Sequence, residues 1–173
     1  MKLRPGIALV AVTLALAGCG GSSAPAQTGG STATTAPATP AAAGGGEIKD
    51  ACVLVSLDEA AAASGLSGLS KQESSAAFCS YQKGTQAVDI SVVRAPYTKA
   101  SLDAAKAALD SPPTDLPGVG DAAFVAKEQA GVGFGDTWAR GCYVEIRVKS
   151  SAKDPVAAAG VLLKSAVSHI PNA

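Results

Sequence analysis

CYVEIRV, residues 142–148, is the clearest β-strand signal in this chain of 173 residues. Apolar and charged residues alternate along it, and a period of two places the two sets on opposite faces of a sheet. VDISV, residues 88–92, alternates in the same way. Strands with one polar face are typical of an antiparallel sheet that is covered on its other face only. The sequence therefore predicts an α+β fold, an antiparallel sheet backed by helices on one face.

Helix and strand signals follow one another through the rest of the domain. Ser56-Leu-Asp-Glu59 is a capping box that begins a short helix, and Gly65 can end it in the left-handed conformation. Apolar spacing over 101–109 predicts a second helix. Asp154-Pro155 can begin a third, because a proline at the first helical position loses no hydrogen bond. Strands are predicted at 78–82, 88–92, around 124–126, at 137–140 and at 142–148.

The two halves of this pattern resemble each other. Cys79-Ser-Tyr81 precedes the run at 88–92, much as Cys142-Tyr143 begins the run at 142–148. This similarity predicts a two-fold repeat of helix-strand-strand units followed by a C-terminal helix, although chance alternation in two half-exposed strands would look similar. The run at 129–136 contains three glycines and is predicted to turn.

The N-terminus carries the pattern of an exported, lipid-anchored protein. Lys2 and Arg4 precede an apolar run of about ten residues, the length of a signal-peptide core and too short to cross a bilayer. Leu16-Ala-Gly-Cys19 resembles a bacterial lipobox, in which the cysteine is acylated and the chain is cut before it. Residues 1–18 are therefore predicted to be a lipoprotein signal peptide; an ordinary signal peptide with an incidental cysteine is the alternative.

A change in composition separates a tether from the domain. Residues 19–46 contain no charged, aromatic or large aliphatic residue, so they cannot bury enough apolar surface to fold. They are predicted to be a disordered tether behind the lipidated Cys19, which leaves 47–173 as the globular domain. Acyl chains would hold that domain at the extracytoplasmic face of the cell membrane.

Four short motifs occur in a characteristic order along the domain. Together with the lipobox and tether, they resemble a family of small actinobacterial lipoproteins that carry a domain of unknown function, over most of residues 50–170. The resemblance implies a disulfide between Cys52 and Cys79, with Cys142 a buried thiol, and it implies no reaction. Cysteine spacing alone leaves all three pairings open. The motifs are Asp50-Ala-Cys52-Val-Leu-Val-Ser56, Glu59-Ala-Ala61, Cys79-Ser-Tyr81 and Leu116-Pro-Gly-Val-Gly-Asp-Ala-Ala123.

Composition and motifs argue against several classes of function. The 14 Lys and Arg balance 14 Asp and Glu without a basic run, so nucleic-acid binding is not indicated. With one histidine and no Cys-x-x-Cys, neither a metal site nor a cofactor is predicted. Gly118-Val-Gly-Asp-Ala-Ala123 matches a dinucleotide-binding pattern, but the preceding prolines and a following strand-like segment favour a turn. His169 falls in the last helical turn, which favours a capping or surface role over catalysis.

The predicted contact surface joins the loop at 116–121, the glycine-rich turn at 129–136 and Trp138. Exposed aromatic residues mark binding sites, although a tryptophan that caps the core is the alternative. We expect a non-enzymatic module that binds an envelope protein or a small ligand. The alternatives are an accessory subunit of an envelope transport or wall-synthesis complex and a hydrolase that uses Ser or Asp with His169. The surface is predicted from Leu116, Gly118, Gly120, Asp121, Phe134 and Trp138.

Overall fold

A computed structural model describes residues 47–93 and 97–172, so the predicted signal peptide, Cys19 and the tether lie outside the described residues. Seven strands form one antiparallel sheet in the order β1-β2-β3-β7-β6-β5-β4. The strands are β1 Ser70–Ser74, β2 Phe78–Lys83, β3 Gln86–Val93, β4 Thr114–Asp115, β5 Ala122–Gln129, β6 Val132–Ala139 and β7 Cys142–Lys149; the helices are α1 Leu57–Ser64, α2 Lys99–Ala107 and α3 Pro155–His169, with one 3₁₀ turn at Ala51–Val53.

The two strands with the clearest alternation lie side by side at the centre of the sheet. β3 pairs with β7 so that Val88 faces Val148 and Ile90 faces Ile146. All four side chains are fully buried. The two strands share an alternating pattern because their apolar residues lie on the same face of the sheet and pack in one core.

The coarse order of elements repeats between the halves, but the matched motifs are not equivalent. Each half begins with a helix followed by antiparallel strands, and α3 comes last. Cys79 lies in β2, one strand before its alternating run, whereas Cys142 lies in the same strand as its run. The similarity between the two motifs therefore does not reflect equivalent positions in the sheet.

Helix α3 packs closely on one face of the sheet, where two glycines of β6 make room for it. A Cβ on Gly133 would stand 2.5 Å from the carbonyl carbon of Pro155, and one on Gly135 would stand 2.6 Å from Cδ1 of Leu163. The prediction that 129–136 turns is therefore wrong beyond the tight turn at 130–131. These glycines lie within a strand, where the lack of a side chain allows α3 to approach the sheet closely.

Helix α2 lies on the opposite face of the sheet. Val125 of β5 belongs to the core under α3, whereas its neighbour Phe124 joins a second cluster with Leu102 of α2. Successive residues of a strand point to opposite faces, so the two helices cover different sides. The α+β class and the antiparallel sheet are confirmed. The helices occupy both faces instead of one, because Phe124 and its neighbours give Leu102 an apolar patch.

Candidate functional site

The loop at 116–121 and Trp138 lie together in the structure. The Asp121 amide donates a hydrogen bond to the carbonyl oxygen of Trp138 at 2.8 Å. Gly120 has a φ of +59°, and a Cβ there would stand 2.7 Å from the same carbonyl oxygen. Both the backbone conformation and the lack of space require glycine. The loop is therefore fixed against β6 at this point.

Two of the predicted surface residues pack against the cores of the domain, although Leu116 also lines the groove beside the loop. Leu116 is half-buried against the core under α3, with Cδ1 3.5 Å from where a Cβ on Gly160 would lie. Phe134 is 8% exposed, and its ring meets that of Phe124 edge-on at 6.2 Å, in the cluster that includes Leu102. Gly118 is exposed, with open space around its Cα. The accessible part of the predicted surface is thus the glycine loop and the flank of Trp138.

An open groove of about 330 Å³ lies between α2 and this loop, and we call it the loop groove. Lys99, Asp103 and Lys106 line its helix side. Asp115 and Asp121 line the loop side. Lys99 pairs with Asp103 at 3.0 Å and Lys106 pairs with Asp115. Exposed pairs of this kind contribute at most about 1 kcal/mol, so they can exchange partners with a ligand.

Asp136 is the most unusual polar residue of this face. It is 3% exposed, and its Oδ1 has no hydrogen-bonding partner among the residues that the structure describes. Its side chain lies on the α2 side, because Trp138, two residues along β6, belongs to the cluster there. Burial raises the pKa of the Asp136 carboxyl to about 7, against the lowering effect of a hydrogen bond from Tyr143. A buried polar group without a full set of partners marks a candidate functional position.

Aromatic side chains surround this carboxyl. Tyr143 of β7 is 7% exposed, and burial together with the neighbouring Asp136 raises the pKa of its hydroxyl. Tyr97 stacks on Tyr143 with ring centroids 5.1 Å apart. Trp138 is the register partner of Tyr143 across β6 and β7. We call Asp136, Tyr143, Tyr97 and Trp138 the Asp136 cluster. Sequence reasoning missed Asp136; its only signal was its place between Phe134 and Trp138 on one strand face.

Helix α2 is attached to this face by a single fully buried side chain. Leu102 is the buried residue of α2, whereas α3 buries five residues. Burying a leucine contributes about 1.5–3 kcal/mol. The change in the Asp136 pKa from 3.8 to about 7 corresponds to about 4 kcal/mol, at about 1.4 kcal/mol per pKa unit. The cost of a charge held under α2 is therefore of the same order as the contribution of Leu102.

The opposite face carries a larger groove, of about 610 Å³, between α1 and α3. Its polar groups are already bonded. Glu59 accepts from the Ser56 amide at 2.8 Å and from the Ser165 hydroxyl, and the Lys153 ammonium donates to the Ala62 carbonyl at 2.8 Å. The hydrogen bonds from Ser165 and Ser56 lower the pKa of Glu59 to about 2. This groove offers an apolar wall but little chemistry to orient a ligand, so we favour the smaller loop groove as the ligand site.

The histidine occupies a structural position at the end of α3. His169 Nδ1 lies 3.1 Å from the carbonyl oxygen of Leu54. Ser165, one turn earlier, donates its hydroxyl to Glu59. Ser168, next to His169 in sequence, donates its hydroxyl to the Ser165 carbonyl oxygen at 2.7 Å. Neither hydroxyl is therefore held by the imidazole, as a nucleophile would be by its base.

The cysteines pair as the family resemblance implies. Cys52 and Cys79 form a disulfide with an S–S distance of 2.08 Å, which ties the 3₁₀ turn to β2. Cys142 is a buried free thiol. Among residues 47–93 and 97–172, no group of three or more His, Cys, Asp or Glu side chains is placed to hold a metal ion. Within the same ranges, no helix is both long enough and apolar enough to cross a membrane.

Comparison with known proteins identifies the family. The family described as "Protein of unknown function (DUF3558)" matches residues 14–153, which include the Leu16–Cys19 motif and every strand of the sheet. No curated protein and no solved structure gives a significant match. The predicted resemblance to a family with a domain of unknown function is confirmed. Since the match covers most of its length, this chain belongs to the DUF3558 family.

Proposed function

We propose that this chain is a lipid-anchored, extracytoplasmic binding module that acts without catalysis, one of the small actinobacterial lipoproteins. Leu16-Ala-Gly-Cys19 supports the anchor, because a cysteine after small residues and an apolar core is the substrate pattern for acylation. The Cys52–Cys79 disulfide supports an exported location, because disulfides persist in oxidising compartments. The envelope then supplies the ligand, and the tether holds the domain near it.

The binding surface is the loop groove together with Trp138. One observation carries this proposal: Gly120 and the Asp121–Trp138 hydrogen bond hold the loop rigidly beside an open groove. Charges of both signs line that groove, and Trp138 is the register partner of Ala122, one of its lining residues. A site of about 300–1,000 Å³ with a few placed polar groups is typical of small-molecule recognition. The groove suits a small polar ligand that carries both donors and acceptors.

The test compares native and denaturing mass spectrometry of the mature protein, extracted gently from its own host. A non-covalent mass that disappears on denaturation is expected. Asp121→Ala should lower its occupancy about tenfold, because a lost hydrogen bond to a charged group is worth about 1.5–3 kcal/mol. Val161→Ala, on the other face, should leave it unchanged. A bare polypeptide in every preparation would contradict ligand binding.

The anchor has its own test, independent of the ligand. Cys19→Ser should release the domain from the membrane fraction and remove the added acyl mass from the mature N-terminus. Retention of the variant in the membrane fraction would contradict anchoring through this cysteine.

A second candidate function, an accessory subunit of an envelope transport or wall-synthesis complex, is favoured by Val161. This apolar side chain is 60% exposed on the wall of the groove between α1 and α3. A photo-crosslinking residue at position 161 would then capture one protein subunit in the intact envelope, while the same residue at position 118 would capture none. The reverse result would favour the loop groove.

A further inference from the structure

We propose that α2 is a pH-controlled cover, and that ionisation of Asp136 releases this helix from the sheet and exposes Trp138. The movement of α2 does not depend on the proposed function, but its effect on binding does, since the helix controls access to the same binding surface. Release of the helix would change the loop groove, because Lys99, Asp103 and Lys106 form one of its walls.

The first step of the argument is the environment of Asp136. Phe124 is its register partner on β5, and Phe134 and Trp138 precede and follow it on the same face of β6. Phe124, Phe134 and Leu102 pack in one cluster. A carboxylate with one unpartnered oxygen is disfavoured in such surroundings, and the hydrogen bond from Tyr143 offsets the effect of burial only in part. The residue must therefore either hold a proton or regain water.

The second step is that the neighbouring charges are committed elsewhere. On β7, the Arg147 Nε lies 3.3 Å from Glu128 and a terminal nitrogen of Arg147 lies 3.4 Å from Glu145. Arg147 lowers the pKa of Asp136 less than burial raises it, and Glu145 acts in the raising direction. Near α2, the other facing groups among the described residues are the hydroxyls of Tyr97 and Tyr143. Lys99, Lys106 and Asp103 are engaged in the pairs described above.

Few buried contacts attach α2, the proposed cover, to the sheet. Leu102 is the one buried residue of α2, Leu109 just beyond the helix end is partly buried in the same cluster, and Lys106 pairs with Asp115 of β4. The Lys99–Asp103 pair and the capping box lie within the helix and do not attach it to the sheet. Elements with few buried contacts open at the lowest free energy in a protein. Rehydration of Asp136 thus requires release of this one helix, and the core under α3 can stay intact.

The direction with pH follows from the burial of the carboxyl. Because burial raises the pKa of Asp136 to about 7, the proton stays on at acidic pH and leaves near neutrality. The helix is docked below that range and is released above it.

The experiment follows Trp138, the one tryptophan of the chain, in the full mature protein between pH 5.5 and 8.5. We expect its emission to move to longer wavelength as pH rises. Hydrogen exchange, corrected for intrinsic rates, should show protection of the α2 amides falling by up to about tenfold per pH unit as pH rises toward 7 and levelling off above it, because one proton is released on opening only while the docked carboxyl still holds it. The α3 amides should stay protected. Constant emission, or an equal loss of protection in α2 and α3, would overturn the proposal.

Variants separate Asp136 from other titrating groups. Asp136→Asn should keep α2 protected at every pH, and Leu102→Ala should leave α2 unprotected at every pH. Asp103→Asn, on α2 itself, should retain the wild-type transition. So should His169→Gln, because imidazoles ordinarily change charge in this range but this one lies near Leu54 on the other face. A transition that persists in Asp136→Asn would refute the cover.

The two proposals fail separately. If no ligand mass is found but the α2 transition depends on Asp136, the binding function fails and the pH-controlled cover stands. If a ligand is bound with the same occupancy at pH 5.5 and 8.5 and α2 protection does not change, the cover fails and the binding function stands.

Discussion

On one face of the sheet, α3 buries five residues and meets the backbone of β6 at two glycines. On the other face, α2 buries one leucine above a carboxyl with one oxygen that has no partner among the described residues. The polar groups beside α3, such as Glu59, have their hydrogen bonds. The comparison teaches that stability and responsiveness are separated in this domain: the α3 face holds the fold, and the α2 face is the one that can open without unfolding the rest.

The largest effect is expected where the α3 face is tightest. Gly133→Val should abolish folding or cost more than about 3 kcal/mol, because its Cβ would overlap the backbone at Pro155. Gly160→Ala is the matched control on the same interface. Its Cβ would make ordinary contacts at 3.5 Å, and alanine favours a helix by up to about 1 kcal/mol. Chemical denaturation measures both; a Gly133→Val protein as stable as wild type would contradict the close approach.

A pair of leucine truncations sharpens the comparison. Leu163→Ala should lower the free energy of unfolding by about 2–5 kcal/mol, because it leaves a cavity in the main core. Leu102→Ala should lower the global value by no more than about 2 kcal/mol, because α2 detaches and the rest remains folded. Denaturation midpoints and amide exchange of the α2 residues measure the two effects. An equal loss of global unfolding free energy in the two variants would show that both helices unfold together with the rest of the domain.

The next effect concerns the acidic group under α2. The raised pKa of Asp136 means that the folded state binds more protons than the unfolded state between pH 3.8 and about 7. Stability from this group is therefore fully present below that range and is lost as pH rises through it. Asp136→Asn should be more stable than wild type by about 1–2 kcal/mol at pH 8, the amide still lacking one partner. Thermal unfolding of both proteins at pH 5 and pH 8 measures this difference. A difference in stability between wild type and variant that is the same at both pH values would contradict it.

The smallest effect is expected at the acidic group beside α3. Hydrogen bonds from Ser165 and Ser56 lower the pKa of Glu59 to about 2, so its contribution is present above its ordinary value of 4.5 and is lost as pH falls toward 2. Glu59→Gln should cost about 0.5–1 kcal/mol at pH 7, as expected for a weakened helix cap near solvent. The cost should vanish near pH 2. Acid denaturation profiles of the two proteins measure it, with Asp58→Asn, which lies outside these hydrogen bonds, as the control.

Much of the fold could be predicted from local signals. The capping box of Ser56 and Glu59 forms, Gly65 ends α1 at a φ of +70°, and Asp154 caps α3. β3 and β7 follow from their alternation. β1 could not be predicted, because its sequence SKQES is polar throughout and exposed, and only its pairing with β2 makes it a strand. β4 is only two residues long and depends on β5 in the same way.

The candidate site was predicted only in part. The glycine loop and Trp138 could be joined from the sequence because both carry signals of special backbone or surface roles. Phe134 was included for its aromatic ring and is buried. Asp136 was missed, because the three glycines at 129–136 placed it in a predicted turn, where an aspartate normally faces water.

The sequence by itself determined the class of the fold, the order of most of its elements, the helix caps and the family to which the chain belongs, since these depend on residues close together in the chain. Only the tertiary structure decided that α2 and α3 cover opposite faces, that glycines of β6 serve a close approach to α3, and that the carboxyl of Asp136 loses its water. Each of these depends on side chains distant in sequence that come within a few ångströms of one another, and neither local periodicity nor propensity records that distance.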